Sequence, residues 1–268
     1  MLKRGGKSGY TLAELLVTLA IIGLVGSAVA GVYQISQQTY IRASSLEAAQ
    51  TGARVGLDRM VGELRLIGSY WIGAAGAGNA ITAASSNSIT FMANVNDLYM
   101  INQNAVEATT SAIANGDNVP LSISATATDA AFKTYAAAPA LNDFVYIADG
   151  GKREVRQIES IAGSTLTLAA DLSSPYPAGS LVRDVKTITY TRNAGANTLT
   201  RTQGGSGADP IAEGVSGLTF TYFDTTGAAL SASPNLALIR EIQIDLTVQG
   251  PDGSPRRMTT RVKPRSLP

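Results

Sequence analysis

Residues 15 to 33 read LLVTLAIIGLVGSAVAGVY, almost wholly apolar, and no Asp, Glu, Lys or Arg occurs from Leu15 through Ile41. At ~1.5 Å per helical residue this 19-residue run spans about 28 Å, close to the ~30 Å hydrocarbon core of a bilayer. It is predicted to cross a membrane once. Past Tyr40 the pattern turns amphipathic, with Leu46, Ala49, Ala53, Leu57, Met60, Leu64 and Ile67 recurring every three or four residues, the spacing of one helix face. Glu47, Arg54, Asp58, Arg59, Glu63 and Arg65 take other positions and read as a solvated face. Arg54/Asp58 and Arg59/Glu63 stand at the i,i+4 spacing that adds a few tenths of a kcal/mol. No proline interrupts the run, so one helix is predicted from Thr11 to Gly68, roughly 85 Å long. Its second half needs the rest of the chain as a cover, because an amphipathic helix takes most of its stability from tertiary burial.

Beyond residue 71 the period drops to two. Ile242 to Val248 alternates apolar and polar without error, and Met258 to Val262 is predicted to pair with it across the turn-rich stretch 250–255. Leu218, Phe220 and Tyr222 form another alternating set, as do Ile188 and Tyr190 between threonines. Residues 143–148, 153–161 and 164–169 suggest a small β unit with a tight turn at Ala162-Gly163, part of a candidate insertion over about 73–170. The stretch 73–138 is rich in Ala, Ser, Thr and Asn and offers only weak strands at 88–92 and 119–124, with loops expected between. A long helix followed by antiparallel strands is an α+β arrangement in which the sheet wraps the amphipathic half of the helix.

Charge changes the picture at one end only. Lys plus Arg total 21 against 20 Asp plus Glu, which offers no electrostatic case for nucleic acid. Yet Lys3, Arg4 and Lys7 crowd the first nine residues, none of which is acidic, and without those nine the balance is −2. The basic end is expected to stay cytoplasmic, which puts everything after Tyr33 on the far side of the membrane. Cys and His are both absent, which removes disulfides, the usual zinc ligand sets and every Ser/His or Cys/His catalytic arrangement. No Walker loop, dinucleotide fingerprint or complete EF-hand occurs. Asn94, Asn96 and Asp97 read as an Asx-rich turn, Asp143 and Asp149 as turn residues, and Gly204 to Gly207 as a loop without a helix behind it. No catalytic residue, metal or cofactor is expected, and no enzyme activity.

The apolar run is long for a secretory signal core, although SAVAG imitates a signal cleavage site. Glu14 lies at its cytoplasmic edge, where a plain anchor has no use for a carboxylate entering hydrocarbon. Lys7-Ser8-Gly9, Tyr10-Thr11-Leu12-Ala13-Glu14-Leu15-Leu16-Val17 and Ile21-Ile22-Gly23 resemble the class III signal of type IV prepilins and type II secretion pseudopilins. That resemblance implies a pilin-like fold and cleavage after Gly9 by a membrane aspartic prepilin peptidase, which also N-methylates Tyr10. Only Gly9, and not Gly5 or Gly6, makes Glu14 the fifth mature residue, the position of the assembly carboxylate. The chain departs from the family with Tyr10 for Phe, Ala13 for Ile or Val, and Gly31 where a proline often loosens the helix. Gly23, Gly26 and Gly31 soften the apolar helix or serve as close-packing sites for a neighbouring helix, two readings that are compatible.

Near the end, Leu218 to Tyr222, Ile239 to Val248 and Arg261-Val262-Lys263-Pro264-Arg265 resemble PilW-type minor pilins and the related GspJ-type pseudopilins. The resemblance implies a leader over 1–9, a helix over 10–70 with its fibre-core segment at 15–33, and a β-rich periplasmic domain over 71–268. It also implies other minor and major pilins, an inner-membrane assembly platform and, before assembly, membrane lipid as partners. The expected role is a minor type IV pilin that primes or caps the pilus from the inner membrane, with a place at its tip. The alternatives are a GspJ-like minor pseudopilin and a single-pass anchored periplasmic adhesin or enzyme.

Overall fold

The computed structural model describes residues 11–72, 79–95, 99–101, 120–122, 143–162, 165–204, 206–249 and 254–267. Helix α1 covers Leu12–Arg65. The chain divides inside it, into a unit of residues 1–48 and a unit of residues 49–268. In the first unit the helix stands uncovered, and the large apolar side chains between Leu12 and Ile41 are each more than half exposed.

In the second unit Ala53, Gly56, Leu57, Met60 and Leu64 form the buried helix stripe, as the 3.6-residue period requires. The helix stops through tighter i→i+3 bonds, Leu66 N–H to the Glu63 carbonyl (2.9 Å) and Ile67 N–H to that of Leu64 (3.3 Å). Gly68 then turns the chain at φ +80°, where a Cβ would meet the Ser266 carbonyl oxygen at 3.1 Å.

The strands are β1 (Ile81–Ala84), β2 (Ser88–Ala93), β3 (Tyr99–Ile101), β4 (Pro120–Ser122), β5 (Asp143–Asp149), β6 (Lys152–Ala162), β7 (Thr165–Leu168), β8 (Leu181–Asn193), β9 (Thr198–Gln203), β10 (Asp209–Glu213), β11 (Val215–Phe223), β12 (Glu241–Gln249) and β13 (Pro255–Val262). Among the described residues they form a ten-stranded antiparallel sheet in the order β1-β2-β8-β5-β6-β7-β4, with β3 and β9 also on β8 and β10 on β9, and a three-stranded sheet β11-β12-β13. The 13-residue β8 organises the larger sheet. One edge pairs with β2 and β3, the other with β5 and β9. The predicted strands at 242–248 and 258–262 lie within β12 and β13 and pair from Ile242/Val262 to Gln249/Pro255. The turn between them at 250–253 lies outside the described residues, as does the predicted turn residue Gly163.

One core joins the helix stripe to Ile81 of β1, Ile89 and Phe91 of β2, Ile188 and Tyr190 of β8, Leu199 of β9, and the inward residues of β11 to β13. β1 and β2, inside the range 73–170, are therefore part of the wrapping of α1. Val145, Ile147, Ile158, Leu166, Leu168, Leu172 and Tyr176 are buried as well but stand outside that cluster. Around them Glu154 accepts from Arg156 Nη2 (2.5 Å), Ser173 N (2.8 Å) and Tyr176 OH (3.2 Å), so the loop after β7 is tied to β6 by charge.

The reading of Glu63 as part of a solvated face needs correction. Its carboxylate accepts from Arg201 Nε at 2.8 and 3.0 Å and from Tyr190 OH at 2.7 Å, and the Arg201 side chain is only 3% exposed. Arg59, its i,i+4 neighbour, contributes a 3.3 Å contact from the solvent side. Burial, reinforced by the Glu63 charge, pushes the Tyr190 phenol well above the ordinary tyrosine range. For Arg201 burial works against the charge, yet the bonds and charge of Glu63 outweigh it and raise its pKa. An ion pair thus pins α1 to β8 and β9. A second network lies on the outer side of the smaller sheet, where Asp245 accepts from Thr259 Oγ1, from Gln243 Nε2 (2.9 Å) and from Arg257 Nε (3.1 Å). Burial alone would raise the Asp245 pKa, but these bonds outweigh it and hold the carboxyl below the ordinary range.

Candidate assembly site at the start of the helix

Helix α1 begins in a reciprocal cap. Glu14 N–H donates to Thr11 Oγ1 (3.3 Å), while the Glu14 carboxylate accepts from Thr11 N–H (3.0 Å) and from Thr11 Oγ1 (3.1 Å). Thr-x-x-Glu is the capping-box pattern, which satisfies two backbone donors that the first helical turn leaves without intrahelical partners. A carboxylate here also faces the positive end of the helix dipole, worth about 0.3–1 kcal/mol. The fixed Glu14 is therefore a held acceptor.

Behind the cap the polar groups of the apolar run are turned inward. Thr18 Oγ1 donates to the carbonyls of Glu14 and Leu15 at 2.9 Å, and Ser27 Oγ to that of Leu24 at 2.8 Å, so neither hydroxyl needs water. The result is a helix long and apolar enough to cross a bilayer. At Gly23, Gly26 and Gly31 an added Cβ would meet nothing within 4 Å, so each presents bare backbone that another helix can approach. Gly9 and Tyr10 lie outside the described residues. Of the sequence-predicted site residues, Glu14 is thus placed against Thr11. The role of Thr11 as cap was legible in the Thr-x-x-Glu spacing.

Elsewhere the reading of Asn94 as part of an Asx-rich turn needs correction: its side chain is buried and its Nδ2 donates to the carbonyl (2.8 Å) and carboxylate (3.0 Å) of Asp184 on β8. Asn96 and Asp97 lie outside the described residues.

An apolar, capped N-terminal helix followed by antiparallel sheets defines the α+β, pilin-like fold class, and the helix is consistent with a membrane anchor. Residues 4–30 match the family described as the prokaryotic N-terminal methylation motif. That stretch contains Gly9, Tyr10, Glu14, Gly23 and Gly26. It is the mark of a type IV pilin-like protein, pilus-associated, and implies processing by a prepilin peptidase and handling by pilin assembly machinery. No curated protein and no solved structure matches the chain.

Proposed function

We propose that the chain is a minor type IV pilin, a non-catalytic subunit cut after Gly9, N-methylated on Tyr10 and built into the pilus as a primer or cap. The observation that carries this reading is the Glu14 carboxylate held at the head of an exposed apolar helix by the backbone N–H of Thr11, the second residue after the cut. Cleavage creates a positive amine on Tyr10 beside it. In a fibre core of low dielectric such a pair attracts far more strongly than in water, whereas either charge alone is heavily penalised. The globular domain then lies on the periplasmic face before assembly, with membrane lipid around residues 15–33 and other minor and major pilins replacing that lipid afterwards. The PilW-like pattern at 218–222, 239–248 and 261–265 supports the minor role.

The test is Glu14→Ala in the native host. Export, cleavage and folding are expected to persist while recruitment to sheared filaments falls sharply on an immunoblot. Wild-type incorporation of Glu14→Ala would remove the carboxylate from the docking step. Finding the protein as the dominant filament component by quantitative proteomics would refute the minor role.

A further inference from the structure

Strand β2 ends at Ala93, and in the register of the larger sheet Ala93 faces Lys186 of β8. The next residue, Asn94, is 3% exposed, and Asp184 and Lys186 are fully buried. Asp184 and Lys186 stand two residues apart on one strand, so their side chains leave the same face of β8 about 7 Å apart. Asn94 is held from both ends. Its backbone N–H donates to Ser69 Oγ at 2.9 Å, and its Nδ2 donates to the Asp184 carbonyl at 2.8 Å and carboxylate at 3.0 Å. Its Oδ1 accepts no hydrogen bond among the described residues.

A lysine, a carboxylate and a primary amide are thus brought together away from water, on neighbouring strands. A carboxylate beside a buried lysine answers its charge. That pairing does not call for an asparagine whose amide nitrogen lies on the same carboxylate while its carbonyl oxygen is left open, which forgoes a hydrogen bond in a buried place. Acyl transfer does call for it. A lysine amine is a nucleophile once it gives up a proton, and a carboxylate beside it can carry that proton. An amide nitrogen hydrogen-bonded to the carboxylate is placed to receive the proton and leave. The register brings the pieces within reach. Residues opposite each other on antiparallel strands have Cα atoms about 4.5–5.5 Å apart, Asn94 lies one residue or about 3.8 Å beyond Ala93, and a lysine has a flexible four-carbon stem.

We propose that Lys186 and Asn94 join in an intramolecular isopeptide bond, with Asp184 as the proton carrier. The Lys186 ammonium gives a proton to the Asp184 carboxylate, and the freed lone pair forms the Nζ–Cγ bond as charge passes to Asn94 Oδ1. Asp184 hands its proton to Nδ2. As the Cγ–Nδ2 bond breaks and the carbonyl re-forms, a second Nζ proton follows through the same carboxylate, and the nitrogen leaves as ammonium. One lysine ammonium and one primary amide become one secondary amide and one ammonium ion, with no oxidant or other reactant consumed. The bond ties the end of β2 to β8 and closes residues 94–186 into one covalent loop. The inference stands on the β domain alone and does not depend on the pilin reading.

Intact mass spectrometry of the denatured full chain, produced in a host without a prepilin peptidase, tests it. The wild type is expected to weigh one ammonia less than its sequence, whereas Lys186→Met, Asn94→Ala and Asp184→Asn are expected at full sequence mass. A trypsin digest of the wild type needs no variant to fold. It is expected to lack the cut after Lys186 and to yield one branched peptide joining residues 66–133 to residues 184–192. Full sequence mass for the wild type, or an ammonia loss that persists in Lys186→Met, would overturn the proposal. Loss of one water instead would make a carboxyl the electrophile and overturn it too, and a cross-link that survives Asp184→Asn would remove Asp184 from the reaction.

Discussion

Glu63→Ala is the sharpest test of how the β domain holds the helix. The substitution removes the acceptor of Arg201 Nε and of Tyr190 OH and leaves a guanidinium whose side chain is 3% exposed without its counter-charge. Breaking one side of a buried ion pair costs about 3–5 kcal/mol. At ~2–4 °C per kcal/mol for a domain of this size, the melting temperature falls by about 6–20 °C. Arg59→Ala touches the same carboxylate, but from a side chain that is 52% exposed. An exposed i,i+4 pair is worth only about 0.3–0.5 kcal/mol, so that variant shifts the midpoint by no more than about 2 °C. Trp71 is the single tryptophan of the chain and stands edge-on to Phe144 at 5.1 Å, so its fluorescence reports the β domain without interference from the apolar helix. Full chain in detergent, melted while Trp71 is followed, gives both numbers. A Glu63→Ala loss under about 1 kcal/mol, or an equal loss for Arg59→Ala, would show that the pair does not pin α1. Replacing Glu63 and Arg201 together by methionine is expected to restore only part of the loss, since a packed apolar pair needs no counter-charge but the buried Tyr190 hydroxyl stays without its acceptor.

Gly56→Ala gains up to about 1 kcal/mol of helix propensity. Its Cβ, however, would lie 3.1 Å from Ala212 Cβ and 3.2 Å from the Ile211 carbonyl oxygen, and overpacking of this kind costs about 1–3 kcal/mol. The variant is therefore expected to be less stable, whereas Gly62→Ala, with nothing within 4 Å, is expected to be more stable in the same melt. Asp245 has its pKa held below the unfolded value of ~3.9, so its contribution is complete above that value and is lost as pH falls through the lowered one. Urea midpoints between about pH 5 and pH 2 are expected to fall less steeply for Asp245→Asn than for wild type, and parallel curves would refute the network's role. Gly9→Leu is expected to leave the nine-residue leader in place, seen as the added mass of residues 1–9 by intact mass spectrometry. Cleavage of that variant after residue 9, or an uncut wild-type chain in the native host, would remove Gly9 as the processing site.

Elements with a clean period were legible because one residue type faces one environment. In β12, Ile242, Ile244, Leu246 and Val248 are all buried and every polar residue between them lies on the other side. β9 was missed for the opposite reason. Only Leu199 among its six residues is apolar, yet Thr200, Arg201 and Gln203 are buried too. What makes that strand tolerable in a core is a carboxylate 138 residues earlier in the chain, and no local window contains it. The same long-range pair explains why Glu63 read as solvated: its neighbours on the helix, Arg59 and Arg65, are exposed, and its partner is on another element. β8 hid Asp184 and Lys186, both fully buried, inside an otherwise regular alternation. Its hairpin into β9 was nevertheless announced by Asn193, whose Oδ1 accepts from Gly195 N (3.0 Å) and Ala196 N (3.1 Å) in the usual Asx manner.

The cap at the head of α1 alters what the Glu14 substitution tests. Before cleavage the carboxylate already has a partner in Thr11 N–H, so its presence at the edge of hydrocarbon does not by itself require a second subunit. Cleavage after Gly9 places an amine on the residue before Thr11, one peptide unit or about 3.8 Å further along the chain. Two effects are then mixed in Glu14→Ala, the loss of a cap worth about 0.5–2 kcal/mol and the loss of a counter-charge. Glu14→Gln separates them, because Gln also serves at the third position of a capping box but carries no charge. If the charge recruits the subunit, Glu14→Gln fails to enter sheared filaments as fully as Glu14→Ala does, while helix content measured by circular dichroism in micelles stays at the wild-type level. If the cap alone matters, Glu14→Gln assembles normally and Thr11→Ala does not. Normal assembly of Glu14→Gln would therefore refute electrostatic docking and leave Glu14 as a helix-starting residue.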